Sequence, residues 1–209
     1  MNNLTICIGR QLGSGGRIVA KLIAERMGMA FYDKEIITEA ARESGLDRKF
    51  FEKVDEKPSA GSIGSLSSYA MPYYAGCYMN TASYLSNDNL FSIQSSVIMA
   101  LAHKGPSVFV GRCADYILRD EPDMLSVFIT ANTEDRIRRV CGYFSIDERA
   151  AAEMIRDVDR KRAEYYNYYT FKKWGDAASY DLCLSTSVIG VEDTAEKIIG
   201  VCREKFGQE

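Results

Sequence analysis

The sequence contains a single histidine, His103, and no CxxC pair among its six cysteines. Neither a zinc site nor a cysteine–histidine nucleophile can be assembled from that pattern. No apolar run approaches the roughly 20 residues of a membrane-spanning helix, and MNNLTICIG enters a strand almost at once. A chain without a signal peptide and without a membrane partner is therefore expected. A basic excess is also missing. The formal net charge of −3 gives no global attraction for nucleic acid, so none is expected as a partner. The scattered cysteines point to a reducing, cytoplasmic setting. Cys7 and Cys183, both in apolar strand-like runs, are expected as buried thiols.

What is present is ample apolar material, 46% of 209 residues, enough for the core of one α/β domain with a small inserted lobe. Leu4–Ile8 has β character and is followed by a glycine turn and a helix from about Arg17. On that helix Ile18, Val19, Leu22, Ile23 and Met27 form a stripe, and Gly28 ends it. MAFYD gives a second strand, and Asp33 is placed to cap the next helix. A further short helix is expected in LDRKFFEKVDEK. SVFVGR, MLSVFITA and YDLCLSTS read as three more strands. They alternate with helices capped by Asn132 and Asp147 and with a last helix in EDTAEKIIGVCREKF. Short apolar strands alternating with helices predict a parallel sheet covered on both faces. Between Pro58 and about Asn89 the periodicity lapses into a Ser-, Gly- and Tyr-rich tract, as a functional loop, lid or insertion would.

The turn GSGGR, Gly13–Arg17, sits directly after the first strand, where backbone amides of turn and helix can face an anion. Its glycines permit positive φ and a nest of N–H groups. The strict GxxxxGK[ST] pattern is broken, because Gly16 stands for Lys and Arg17 for Ser/Thr. Arg17 is the first candidate for the displaced cation, with Arg10 and Lys21 as alternatives. Two rival readings stay open: a dinucleotide-binding turn with Asp33 as the ribose acid, and a plain connecting turn. Arg112, ending the third strand, needs an anionic partner if buried. Arg156, Arg160 and Arg162 lie in IRDVDRKRAEYY, where Asp157 and Asp159 offer helix-spaced partners. Asp33 and Asp115 are candidates to hold magnesium through water, and Ser14, close by in the loop, is a further candidate ligand. Tyrosines 73, 74, 78, 165, 166, 168 and 169 can stack on a base or serve packing. His103, at a helix end before Gly105, is given a helix-terminal role.

Taken together, GRQLGSGGRIVAKLIAERMGMAFYDKEII, VFVGRCADYIL and DVDRKRAEYYNYYTFKKWGDAASYDLCLSTS resemble the cytidylate kinase-like family, a branch of the P-loop nucleoside monophosphate kinases. The resemblance implies an α/β P-loop kinase three-layer fold, with a five-stranded parallel sheet and helices on both faces. It also implies a single domain over 1–209, with an inserted nucleotide-monophosphate lobe at about 33–104 and a helical lid at about 147–175. The implied activity is transfer of the ATP γ-phosphoryl group, with Mg²⁺, to a small cytidylate-like acceptor. The implied roles are phosphate binding by Gly13, Ser14, Gly15, Gly16 and Arg17, acceptor binding by Asp33 and Arg112, and catalysis by Arg17, Arg160 and Arg162. The sequence departs from authentic cytidylate kinases at Gly15-Gly16-Arg17-Ile18 (Gly-Lys-Gly-Thr there), at Cys113 (an aspartate there) and near Glu39 (an arginine there). Those departures carry the alternative of a nucleotide-binding sensor that has lost catalysis.

Overall fold

The computed structural model describes residues 3–34, 36, 37 and 84–207. Strands β1 (Thr5–Arg10), β2 (Ala30–Tyr32), β3 (Ser107–Val110), β4 (Met124–Thr130) and β5 (Leu182–Ser185) form one parallel sheet in the order β2-β3-β1-β4-β5. The helices are α1 (Gly16–Met27), α2 (Tyr84–Ala102), α3 (Ala114–Ile117), α4 (Thr133–Phe144), α5 (Glu148–Thr170), α6 (Thr186–Ile189) and α7 (Val191–Phe206). The five parallel strands and flanking helices are those expected. The short helix expected in LDRKFFEKVDEK and nearly all of the 58–89 tract lie outside the described residues.

Two-residue periodicity sorts the central strands onto two faces. Ile6 and Ile8 of β1, with Val108, Val110, Leu125, Val127 and Ile129, pack on Val19 and Ile23 of α1 and on Ile198 and Ile199 of α7. Cys7 and Phe109 face the other way, against Val97, Ile98 and Leu101 of α2 and Leu118 after α3. Both layers converge on β1, so its C-terminal end emerges between two packed faces and fixes where the glycine turn begins. Helix starts follow local chemistry. The Asn132 side chain accepts from the Asp135 amide and Asp147 from the Ala150 amide, both at 2.8 Å. Cys183 is a correction: it is exposed, because β5 is the outermost strand of the sheet.

A third core lies between α4 and α5, where Val140, Ala151, Ile155 and Val158 enclose the Leu12 side chain. The Leu12 main chain is gripped as well. Its N–H donates to Asp159 Oδ1 at 2.8 Å, and its carbonyl accepts from Arg136 Nε at 2.8 Å. Arg136 also pairs with Asp159 itself, and both side chains are nearly buried. Farther along, the Tyr166 hydroxyl of α5 donates to the buried Asp115 carboxylate of α3 at 2.7 Å. Helix α5 is thereby bonded both to the glycine turn and to α3.

These two buried carboxylates give distinct expectations. Breaking a buried ion pair strands a charge, so Asp159→Ala is expected to lower the free energy of unfolding by about 3–5 kcal/mol. Asp159→Asn should cost less, since its amide oxygen can still accept from Leu12; urea unfolding of the three proteins checks the order. For Asp115, burial raises the carboxyl above its ordinary value and outweighs the bond from Tyr166. A raised folded-state pKa contributes stability that is complete below the unfolded value near 3.9 and is lost as pH rises through the folded value. Asp115→Asn should therefore gain on the wild type as pH rises from about 4 toward 7, and parallel urea midpoints across that range would refute this by staying equally spaced.

Candidate functional site

The turn between β1 and α1 has its carbonyls held from outside, one after another. Arg162 Nη1 donates to the Arg10 carbonyl at 3.1 Å and Arg136 Nε to that of Leu12. Arg139 Nη1 donates to the Gly13 carbonyl at 3.1 Å, and the Thr186 hydroxyl to that of Ser14 at 2.7 Å. In a trans peptide the N–H points opposite to the C=O. The amides of Gly13 and Gly15 are consequently directed away from the Arg136 and Thr186 side chains that hold the carbonyls of their own peptides. Gly13 and Gly15 have φ of 77° and 79°. At Gly13 a Cβ would also lie 2.7 Å from the Arg136 carbonyl oxygen, so only glycine fits between loop and α4.

The predicted site residues are distributed unevenly around this cradle. Gly13, Ser14, Gly15 and Gly16 form it. Ser14 is fully buried and its hydroxyl is used within the turn, donating to the Gln11 carbonyl at 2.8 Å and accepting from the Gly16 amide at 3.3 Å. Arg17 turns toward the end of β2. Its Nε and Nη2 reach Asp33 Oδ2 at 3.1 and 2.5 Å, and its guanidinium lies 5.8 Å from the Phe31 ring centroid. Asp33 is buried, and its other oxygen accepts from the Ile36 amide at 3.3 Å, the capping role read from the sequence. Thus Arg17 and Asp33, expected on opposite sides of a reaction, are bonded to each other.

Of the two lid arginines, Arg162 reaches the loop, while Arg160 is exposed and pairs along its own helix with Glu164 and Asp157. Arg156 is exposed too. Lys21 is solvated and 3.7 Å from Glu25. His103, exposed at the end of α2, lies 3.0 Å from Glu121. Ser14 and Asp33 are each committed to protein partners, and the described residues contain no cluster of three His, Cys, Asp or Glu side chains for a metal. The pair named from sequence does not fit a protein-built magnesium site.

β3 is followed by three successive residues with positive φ, Gly111, Arg112 and Cys113, at 76°, 59° and 55°. Two of them carry side chains, a conformation that costs free energy and needs its surroundings to hold it. The Gly111 amide donates to the Ile8 carbonyl, and the buried Cys113 and Ala114 pack under the turn. Arg112 Nη1 is 3.5 Å from the oxygen of buried Gln94, to which the Tyr165 hydroxyl donates at 3.4 Å, and its guanidinium lies 5.9 Å from the Tyr165 ring centroid. Burial pushes the Tyr165 phenol up to about 12, so it stays a neutral donor. Tyr169 stacks on Phe91 at 4.0 Å beside this group, whereas Tyr166 is buried against Asp115. Tyrosines 73, 74 and 78 lie outside the described residues.

Arg136, Arg139, Thr186 and Gln94 were not singled out in the sequence. Only the i, i+3 spacing of Arg136 and Arg139 beside Val140 hinted that one face of α4 meets the turn.

Comparison with known proteins places this geometry. The family model described as the cytidylate kinase-like family matches residues 5–188. A crystal structure of an uncharacterized protein from Eubacterium ventriosum superposes with a TM-score of 0.72 at 28% identity, covering 97% of this chain and 99% of its own. The shikimate kinase of Acinetobacter baumannii, solved with shikimate, gives a TM-score of 0.50 at 13% identity over 97% of this chain and 95% of its own, a likeness of fold alone. No curated protein matches the chain. With its parallel five-stranded sheet, its glycine cradle after β1 and a family match over most of its length, the chain belongs to the cytidylate kinase-like family.

Proposed function

We propose that this protein transfers the γ-phosphoryl group of ATP to a small acceptor, a nucleoside monophosphate of cytidylate type. The reading rests above all on one observation: the carbonyls of Leu12 and Ser14 are held by the Arg136 and Thr186 side chains, which turns the amides of Gly13 and Gly15 away from those groups and leaves them to a bound anion. Phosphoryl transfer asks a protein mainly for positioned phosphates and surrounding positive charge. The amides of Gly13 and Gly15 would hold the donor phosphates. Arg112, on the strained turn after β3, would meet the acceptor, its planar fork suited to phosphate. Gln94 and Tyr165 orient it and bring polar groups within reach of a base. The inserted lobe over 33–104 and the lid over 147–175 belong to this proposal, with α5 as the lid's helical part.

Magnesium, where it takes part, would be bound through the nucleotide's own phosphate oxygens and water, since Ser14 and Asp33 are already engaged. The Arg17–Asp33 pair, the missing lysine and exposed Arg160 favour a second reading, a sensor that binds nucleotide without turnover.

The two readings separate on incubation with ATP and a panel of CMP, dCMP, UMP and AMP, followed by quantification of the diphosphate. Turnover of any member supports transfer and removes the sensor. ATP binding with no product supports the sensor instead, and absence of both binding and product overturns the two together. If transfer is found, Arg112→Gln is expected to raise the acceptor KM by about ten- to hundred-fold, the loss of a charge-assisted contact. The KM for ATP should stay near its wild-type value.

A further inference from the structure

The cation that replaces the loop lysine can be located from two glycines. A Cβ built on Gly16, where the strict pattern has Lys, would lie 2.6 Å from Arg10 Cβ and 3.3 Å from its Cγ. The base of the Arg10 side chain therefore occupies the space through which a lysine at 16 would leave the backbone. A Cβ built on Gly111 would lie 2.1 Å from Arg10 Nη1. The Arg10 side chain thus runs from the start of α1 to the turn after β3, spanning the gap between the glycine cradle and Arg112. Its starting point is fixed, because β1 pairs through Arg10 with Ile129 and the Arg10 carbonyl is held by Arg162.

A guanidinium is permanently charged and able to bind phosphate oxygens in pairs, and the Arg10 stem starts where the lysine stem of the strict pattern would run.

We infer that Arg10 supplies the phosphate-binding cation of the loop, and that position 16 is glycine to make room for the base of its side chain. The inference rests on the phosphate-transfer reading and names a residue of that same site. It makes the missing lysine a relocation of charge by six positions, from a helix start to a strand end.

The test is isothermal titration of the full-length protein with ATP, inorganic triphosphate and adenosine. Arg10→Gln should weaken ATP and triphosphate binding by about ten- to hundred-fold, as loss of a charge-assisted contact does, and leave adenosine binding unchanged. Arg10→Lys should retain most of the ATP affinity. Gly16→Lys alone should lose both melting temperature and ATP binding, and adding Arg10→Gly should restore binding by opening the space for the new lysine. Wild-type ATP affinity in folded Arg10→Gln, or in Gly16→Lys alone, overturns the inference while leaving the proposed function standing. No binding of ATP or triphosphate by the wild type overturns both. If Arg10→Gln fails to fold by circular dichroism, Arg10→Met against Arg10→Lys, both filling the stem space, decides in its place: equal ATP affinities refute the inference, and loss with Met only supports it.

Discussion

Leu12 is held at every handle a residue has. Its side chain is enclosed by α4 and α5, its N–H is taken by Asp159 and its carbonyl by Arg136, and those two side chains pair with each other. The arrangement satisfies buried backbone groups that a tight turn would otherwise leave without partners. It also sets the direction of the peptides that follow. Because the Leu12 carbonyl is held, the Gly13 amide points away from Arg136, and Gly13 and Gly15 both take positive φ in the turn that follows. The shape of this turn is thus a property of α4 and α5 as much as of the glycines themselves.

The same clamp has a mechanical side. Helix α5 links the glycine turn, through Asp159 and Arg162, to α3 just after β3, through Tyr166 and Asp115. Both segments therefore refer their positions to one helix of 23 residues. In the proposed reaction this keeps donor and acceptor in register, which is the larger part of what positioning contributes to a transfer reaction.

The strands, their parallel sense and three caps could be read from the chain, because each depends on residues close in sequence. Asp33, Asn132 and Asp147 bond amides three positions ahead. Placement of the glycine turn was readable for the same reason. What could not be read is how the arginines divide their work. Arg136 and Arg139 meet Leu12 and Gly13 across 124 and 126 positions, and Asp159 meets Leu12 across 147. No periodicity within a helix encodes such partners. Arg17 looked like a phosphate ligand beside the glycines, yet a buried carboxylate 16 positions away claims it. Cys183 sat in an apolar run like a core residue, but burial also depends on strand order, which places β5 at an edge.

The crowding between positions 10 and 16 reaches beyond the present sequence. Two side chains cannot start there at once: Gly16 with a Cβ would press on Arg10 Cβ, which has no freedom to swing aside because it is fixed to the backbone of a paired strand. A lineage carrying this arginine is therefore separated from the lysine form of the loop by a step that no single substitution crosses without a clash or an empty position. A chain that has adopted one form would tend to stay in it, and the pair 10 and 16 should change together or not at all.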